Sequence, residues 1–236
     1  MLFTLEQQII HQLLLRSSIE ADIGLFYGKT GLILFFAHYF RLTGNPIFED
    51  TADELMEELL GEIHSELPLD FASGLAGIGW GIEYLIQNGF LEGDSLKICE
   101  EVDKKIMERY PQRIVGYSLE TGLEGLLHYV LSHIQGVHSQ HAKLPFDETY
   151  LKDLFQAIST LPETGELSDN FKTLSGMYSR FYETGSGLDY TLKLSTVVED
   201  IEIDTENLAT FPLGLKKGLS GFLINELRIY EGSMHH

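Results

Sequence analysis

Cysteine is almost missing from this chain: Cys99 is the single one in 236 residues. One thiol cannot close an internal disulfide, so nothing calls for an oxidising compartment. Basic residues are scarce as well, 16 Lys and Arg against 36 Asp and Glu, a formal charge of −20. That imbalance repels phosphate and excludes DNA, RNA and an anionic membrane as main partners. It suits a basic peptide or a basic protein, although acidity also serves solubility alone. No apolar run reaches the ~18 uncharged residues of a membrane span. The start of the chain lacks the basic opening and unbroken apolar stretch of a secretory signal, because Glu6, Gln7, Gln8, His11 and Gln12 interrupt it. The expected location is the cytoplasm. There is no P-loop, no HExxH and no GxSxG.

Glycine is plentiful, and much of it recurs in one phrase. Gly74-Leu75-Ala76-Gly77 returns as Gly122-Leu123-Glu124-Gly125 and as Gly218-Leu219-Ser220-Gly221. Gly28-Lys29-Thr30-Gly31 is an earlier copy, and Thr173-Leu174-Ser175-Gly176 a weaker one without its first glycine. From copy to copy the chain advances 46, 48, 51 and 45 residues, a near-constant period that marks a repeat architecture. Each copy opens an apolar segment without proline, which favours buried helices over strands. Two glycines three apart at a helix start share a face. With no Cβ there, backbone or ligand can approach, and the first-turn N–H groups stay accessible. On that ground Gly28, Gly31, Gly74, Gly77, Gly122, Gly125, Gly218 and Gly221 are candidate ligand-binding positions. The plainer alternative is that they only let helices pack.

An amphipathic helix is expected over residues 4–16. Greasy inner helices follow over 28–42, 74–87, 121–135, 171–184 and 216–230. Between them lie helices with one wet and one apolar face, over 48–67, 95–109 and 147–158. Residues 185–211 are the least regular, and short strands are conceivable at 196–198 and 201–204. The fold class is therefore all-α, about five helical hairpins in one domain over residues 1–236. Such hairpins stack as an open solenoid or close into an α/α toroid. Inner helices apolar all round favour closure, because a solenoid leaves one side wet. The glycine phrases would then gather at one end, around a central mouth.

Seven residues after the second glycine of each phrase stand His38, Tyr84, Ser132, Glu183 and Arg228. Three residues after it stand Leu34, Trp80, His128, Ser179 and Ile224. These offsets share a helix face. The column can line a central cavity, with Trp80 and Tyr84 as ligand contacts and His38, His128 and Glu183 as acid, base or ligand. Glu124, inside its phrase, is a further candidate acid, although an acid in a first helical turn is also well placed against the helix dipole. The simpler reading makes each a satisfied buried polar group. His138 and His141 bracket two residues in a soft polar loop with no cysteine beside them, so no metal site is assigned and no cofactor is implied. Cys99, next to Ile98 on an outer helix, reads as a packing residue.

Helical hairpins of this length, each inner helix opened by a Gly-Leu-x-Gly phrase, resemble the lanthionine synthetase C-like family. The stretch from Gly24 to Gly31, followed by a greasy helix and Arg41-Leu42-Thr43-Gly44-Asn45, carries the resemblance most closely. Ser73 to Gly81 comes next. The resemblance implies an α/α toroid. Catalytic members of that family hold zinc through two Cys and one His and add Cys thiols across dehydrated Ser or Thr in a peptide, the zinc keeping a thiolate at neutral pH. This chain has no counterpart of the zinc cysteines, so zinc-dependent cyclisation is not expected. The implied function is a peptide- or partner-binding accessory in lanthipeptide-type maturation, its partner a basic peptide or a maturation enzyme. Two alternatives stand beside it. One is a toroid hydrolase or lyase acting on a carbohydrate through Glu124 and Glu183, which needs the two carboxylates about 5–10 Å apart. The other is a structural scaffold that pairs with another copy.

Overall fold

The structure is a computed structural model that describes residues 4–64, 66–138, 143–160, 167–186 and 188–228. In chain order the helices are α1 (Leu5–Ser17), α2 (Lys29–Thr43), α3 (Pro46–Glu62), α4 (Leu75–Gln87), α5 (Ser95–Ile98), α6 (Glu100–Met107), α7 (Leu123–His138), α8 (Glu148–Ser159), α9 (Asp169–Thr184) and α10 (Leu219–Glu226). Among the described residues there is no strand, and no helix is long and apolar enough to cross a membrane. The chain is all-α. Where short strands were conceivable, Leu194–Thr196 forms a 3₁₀ turn and residues 201–204 are irregular, with no second strand to complete a ladder. The contacts group into two compact units, Met1–Glu62 with Lys193–His236, and Ile63–Leu192.

In the first unit, α1 starts at a capping box. Gln7 N–H donates to Thr4 Oγ1 at 3.2 Å, and Thr4 N–H to Gln7 Oε1 at 3.0 Å, so two orphan donors satisfy each other's residues. Its buried stripe is Ile9, Leu13 and Ser17, one residue per turn. Helix α2 is buried from Lys29 to Tyr39 and stops at Gly44, whose φ of 66° only glycine adopts freely. Pro46 is the first residue of α3, where its missing N–H does no harm. Phe48, Ala52, Leu55, Met56 and Leu59 of α3 pack on α2 while the acidic residues face out. The Lys29 ammonium reaches Glu58 at 2.9 Å and Glu62 at 2.5 Å, clasping the start of α2 to the end of α3. Helix α10 packs on α1 and α2.

In the second unit α7 packs on α4 and on α9, and α8 on α9 and the turn Pro111–Arg113. Trp80, Tyr129, Tyr178, Phe71 and Phe171 are its largest fully enclosed side chains. Burying each is worth roughly 1.5–3 kcal/mol before entropy is counted. Gly79 makes room for one of them: a Cβ there would stand 2.3 Å from Tyr129 Cε2. The outer helix expected over 95–109 is broken in two at Cys99, whose backbone is neither helical nor extended.

The glycine phrases form one recurring structure. Gly28, Gly74 and Gly218 are extended residues just before α2, α4 and α10 and make no side-chain cap. In place of a cap, the next N–H bonds a carbonyl seven residues back: Lys29 to Asp22 at 2.8 Å, Leu75 to Pro68 at 2.9 Å, Leu123 to Gly116 at 3.2 Å and Leu219 to Pro212 at 2.8 Å. The loop thus folds back over the helix start and satisfies its orphan donors. The loop also fills the space above the first glycine, where a Cβ on Gly74 would lie 2.3 Å from Pro68 O and one on Gly218 2.3 Å from Gly214 O. The second glycine is equally covered, since a Cβ on Gly125 would lie 2.3 Å from Leu119 O and one on Gly221 1.9 Å from Leu215 O. The first helical N–H after Gly28, Gly74, Gly122 and Gly218 is therefore taken by the chain itself. The weak fourth copy does not open a helix at all. Ser168 caps α9 by accepting from Phe171 N–H at 2.9 Å, so residues 173–176 lie inside the helix and Gly176 is exposed.

Candidate functional site

The residues of the polar column divide between the two units. His38, Tyr84 and Ser132 are buried, while Glu183 and Arg228 are exposed, Arg228 beyond the end of α10. Ser132 Oγ bonds the Tyr129 carbonyl of its own helix at 2.7 Å. His38 belongs to the first unit; burial, and then the charge of Arg41, lowers its imidazole to about 4. The offset-three pair fares differently, because Trp80 and His128 meet through a third residue.

That residue is Tyr190, from the irregular segment after α9. Trp80 Nε1–H donates to Tyr190 Oη at 3.0 Å, and His128 Nδ1 lies 2.7 Å from the same oxygen. On the other side of the ring, Asn170 Nδ2 stands 3.0 Å from His128 Nε2 and donates to Glu124 Oε1 at 2.7 Å. Ser168 Oγ–H donates to Glu124 Oε2 at 2.6 Å. The carboxylate fixes which end of the Asn170 amide faces inward, so His128 Nε2 accepts. The hydrogen-bond pattern then assigns the imidazole proton to Nδ1, and Tyr190 Oη accepts from both Trp80 and His128. Burial lowers His128 to about 4, which agrees with a neutral ring. Burial raises the Tyr190 phenol, the Trp80 hydrogen bond opposing it only in part. The relay runs from exposed Ser168 and Asn170 to Trp80, which is fully enclosed.

The local sequence explains the placement. Glu124 occupies the first turn of α7, where the helix dipole favours an anion. His128 follows one turn later on the same face. Ser168 and Asn170 belong to the cap and first turn of α9, so two helix starts meet at one carboxylate. Chemically the group is closed: each Glu124 oxygen and each His128 nitrogen already has a partner. Glu124 does not pair with Glu183. Asn170, which touches Glu124, is thirteen residues from Glu183 on α9. That is about 20 Å along the axis, well beyond the 5–10 Å of paired glycosidic carboxylates.

A second polar group, missed in the sequence, lies wholly inside the same unit. Glu83 of α4, Asp103 of α6 and His133 of α7 are 0%, 4% and 0% exposed. His133 Nε2 bonds Asp103 Oδ2 at 2.8 Å and its Nδ1 bonds Glu83 Oε1. Tyr129 Oη–H donates to Asp103 Oδ1 at 2.5 Å, and Gln87 Nε2–H to Glu83 Oε2 at 2.7 Å. Burial alone would lower His133, but the hydrogen bonds and charges of Asp103 and Glu83 outweigh it and raise the imidazole to about 9. The one visible signal was Glu83 itself, a charge in the middle of the apolar run Ile78–Ile86.

Glu83, Cys99 and His133 are also the one set of metal-capable groups among the described residues, their ligand atoms within 4.8 Å of one another. They do not fit an ion. Two ligands of one zinc stand roughly 3.3 Å apart or more, given bonds near 2.0–2.3 Å and tetrahedral angles. Glu83 and His133 are in direct hydrogen-bond contact instead, which leaves no space between them. Cys99 is buried, and burial together with the nearby Glu83 and Asp103 pushes its thiol up. The His138 side chain and His141 lie outside the described residues.

An all-α chain of periodic hairpins, its inner helices opened by glycine phrases, defines a class before it defines a member. The chain matches the family model described as lanthionine synthetase C-like protein over residues 5–173, most of its length, and it belongs to that family. Its all-helical structure accords with the α/α toroid of the family. No curated protein and no solved structure matches it.

Proposed function

We propose that this chain is a lanthionine synthetase C-like protein that binds a peptide or a maturation partner and does not itself close thioether rings. The observation that carries the reading is Cys99. It is the chain's single cysteine, it is fully enclosed, and its neighbours Glu83 and His133 are bonded to each other. A two-Cys, one-His zinc set therefore cannot be assembled from one copy of the chain. The Glu124–Asn170–His128–Tyr190 relay is compatible with the same reading, since each Glu124 oxygen and each His128 nitrogen already has a partner within the chain. The surplus of acidic residues suits a basic peptide.

The test is incubation of the protein, with zinc supplied, with a peptide holding dehydrated Ser or Thr and free Cys. Mass spectrometry after thiol alkylation reads the outcome. The reading expects every peptide thiol to remain alkylatable. Protein-dependent loss of thiols, proportional to enzyme added, would overturn it.

A further inference from the structure

A groove of about 510 Å³ runs along α1 in the first unit. Ile10 and Leu14 of α1 and Leu208 of the opposite segment give it apolar surface. Gln7, Gln8 and Gln12 line it as well, the Gln7 amide oxygen already accepting from Thr4 N–H in the capping box. The far wall is Thr205 to Ala209, and Arg16 pins it to α1 by donating to the Phe211 carbonyl at 2.9 Å. The groove therefore lies between two segments of the unit that a hydrogen bond ties together. Its volume falls within the range of ligand sites, and an apolar base with a few polar groups is their usual composition.

We propose that this groove binds a short extended segment of a basic peptide. The inference rests on the peptide-binding reading above and names where and how the peptide is held. From Gln7 to Leu14 the wall runs about 10 Å, the length of about three residues in an extended chain. A glutamine amide both donates and accepts, which is what a peptide backbone requires of a wall it does not pair with as a strand. The Gln12 side chain, half-buried in that wall, makes no hydrogen bond among the described residues. Charge sets the sign of the ligand. No Lys or Arg lines the groove, Glu206 and His11 do, and the exposed Asp204 next to Glu206 is held below the usual carboxylate range by Asn207 and the Glu206 N–H. A Lys or Arg side chain meets a negative rim here, and an acidic one is repelled.

The experiment uses the full chain and two fluorescein-labelled pools of random hexapeptides, one with Lys fixed at two positions and one with Glu there, read by anisotropy. The Lys pool should bind roughly tenfold or more tightly than the Glu pool. Ala209→Trp, at an exposed position, fills the groove and should abolish that binding. Glu206→Lys, also exposed, should weaken it several-fold and serves where the tryptophan harms folding. Equal binding of the two pools would overturn the charge assignment. Binding of the Lys pool that survives both substitutions would overturn the groove while leaving the peptide-binding reading in place. Binding of neither pool would overturn the groove as a peptide site, while the thiol assay above decides the proposed function separately.

Discussion

His133 Nε2 lies 2.8 Å from Asp103 Oδ2 inside the second unit, the two side chains 0% and 6% exposed. Three helices supply this group: α6 gives Asp103, α7 gives His133 and Tyr129, and α4 gives Glu83 on the other ring nitrogen. A buried ion pair of this kind adds little over an apolar core of equal volume, but losing one member strands the other. Asp103→Ala should destabilise the protein by about 3–5 kcal/mol. Urea unfolding followed by circular dichroism measures it. A change below about 1 kcal/mol would mean that His133 is not held as a cation by Asp103.

Stability should fall on both sides of neutrality, for different histidines. His133 has a folded value near 9, above the ordinary 6.5, so its contribution is full below pH 6.5 and is lost as pH rises through 9. His38 and His128 have folded values near 4, so the unfolded chain takes up their protons first and stability is lost as pH falls from 6.5 towards 4. Each shift corresponds to about 3 kcal/mol at its limit. Thermal melts across pH 4–10 should flatten on the alkaline side in His133→Gln and on the acid side in His128→Gln. A wild-type profile level from pH 6.5 to 9.5 would contradict the imidazolium at His133.

Trp80 is the single tryptophan, and its indole N–H ends on Tyr190. Tyr190→Phe removes the oxygen that accepts from both Trp80 and His128 and leaves two buried donors without it. The expected loss is about 2 kcal/mol or more, at the upper end for two unsatisfied groups. Because the indole N–H loses its hydrogen-bond acceptor and the Trp80 environment becomes less polar, its emission should move to shorter wavelength in the folded variant. Unchanged emission with unchanged stability would mean that Tyr190 does not sit on Trp80.

The architecture was legible because it rests on periodic signals. The glycine phrases marked the starts of α2, α4, α7 and α10, and the acidic run around Glu54 marked α3 as one-faced. The helix face shared by Trp80 and His128 was legible for the same reason. What joins them was not. Tyr190 comes from a stretch with no repeat, and Asn170 reaches Glu124 only because the α7 and α9 starts meet in space. Between the two roles open to the glycines, the sequence could not choose. The sequence shows that Cβ is missing, but only the structure shows that loop carbonyls stand close above Gly28, Gly74, Gly125, Gly218 and Gly221. Glu183 carried the right offset and fell on the surface because its phrase lies inside α9, which shifts the alignment of everything after it.

Two glycine substitutions separate these roles with opposite signs. Gly74 is an extended residue ahead of α4, and an added Cβ would stand 2.3 Å from Pro68 O and 2.8 Å from Asp70 N, both backbone atoms that cannot swing aside. Relief requires the folded-back loop to move, which loosens the Leu75 N–H bond to Pro68 O. Gly74→Ala should therefore destabilise by about 1–3 kcal/mol, the range for overpacking a filled site. Gly176, in the weak copy, has nothing within 4 Å of an added Cβ and lies within α9. There alanine only restricts the unfolded chain and improves helix propensity, so Gly176→Ala should stabilise by about 0.5–1 kcal/mol. Thermal melts of the two variants under one buffer decide the matter. Loss in both would place Gly176 at a packed helix start like the other phrases. Tolerance of both would mean that the loop from Pro68 to Ser73 does not close over α4 as its carbonyls indicate.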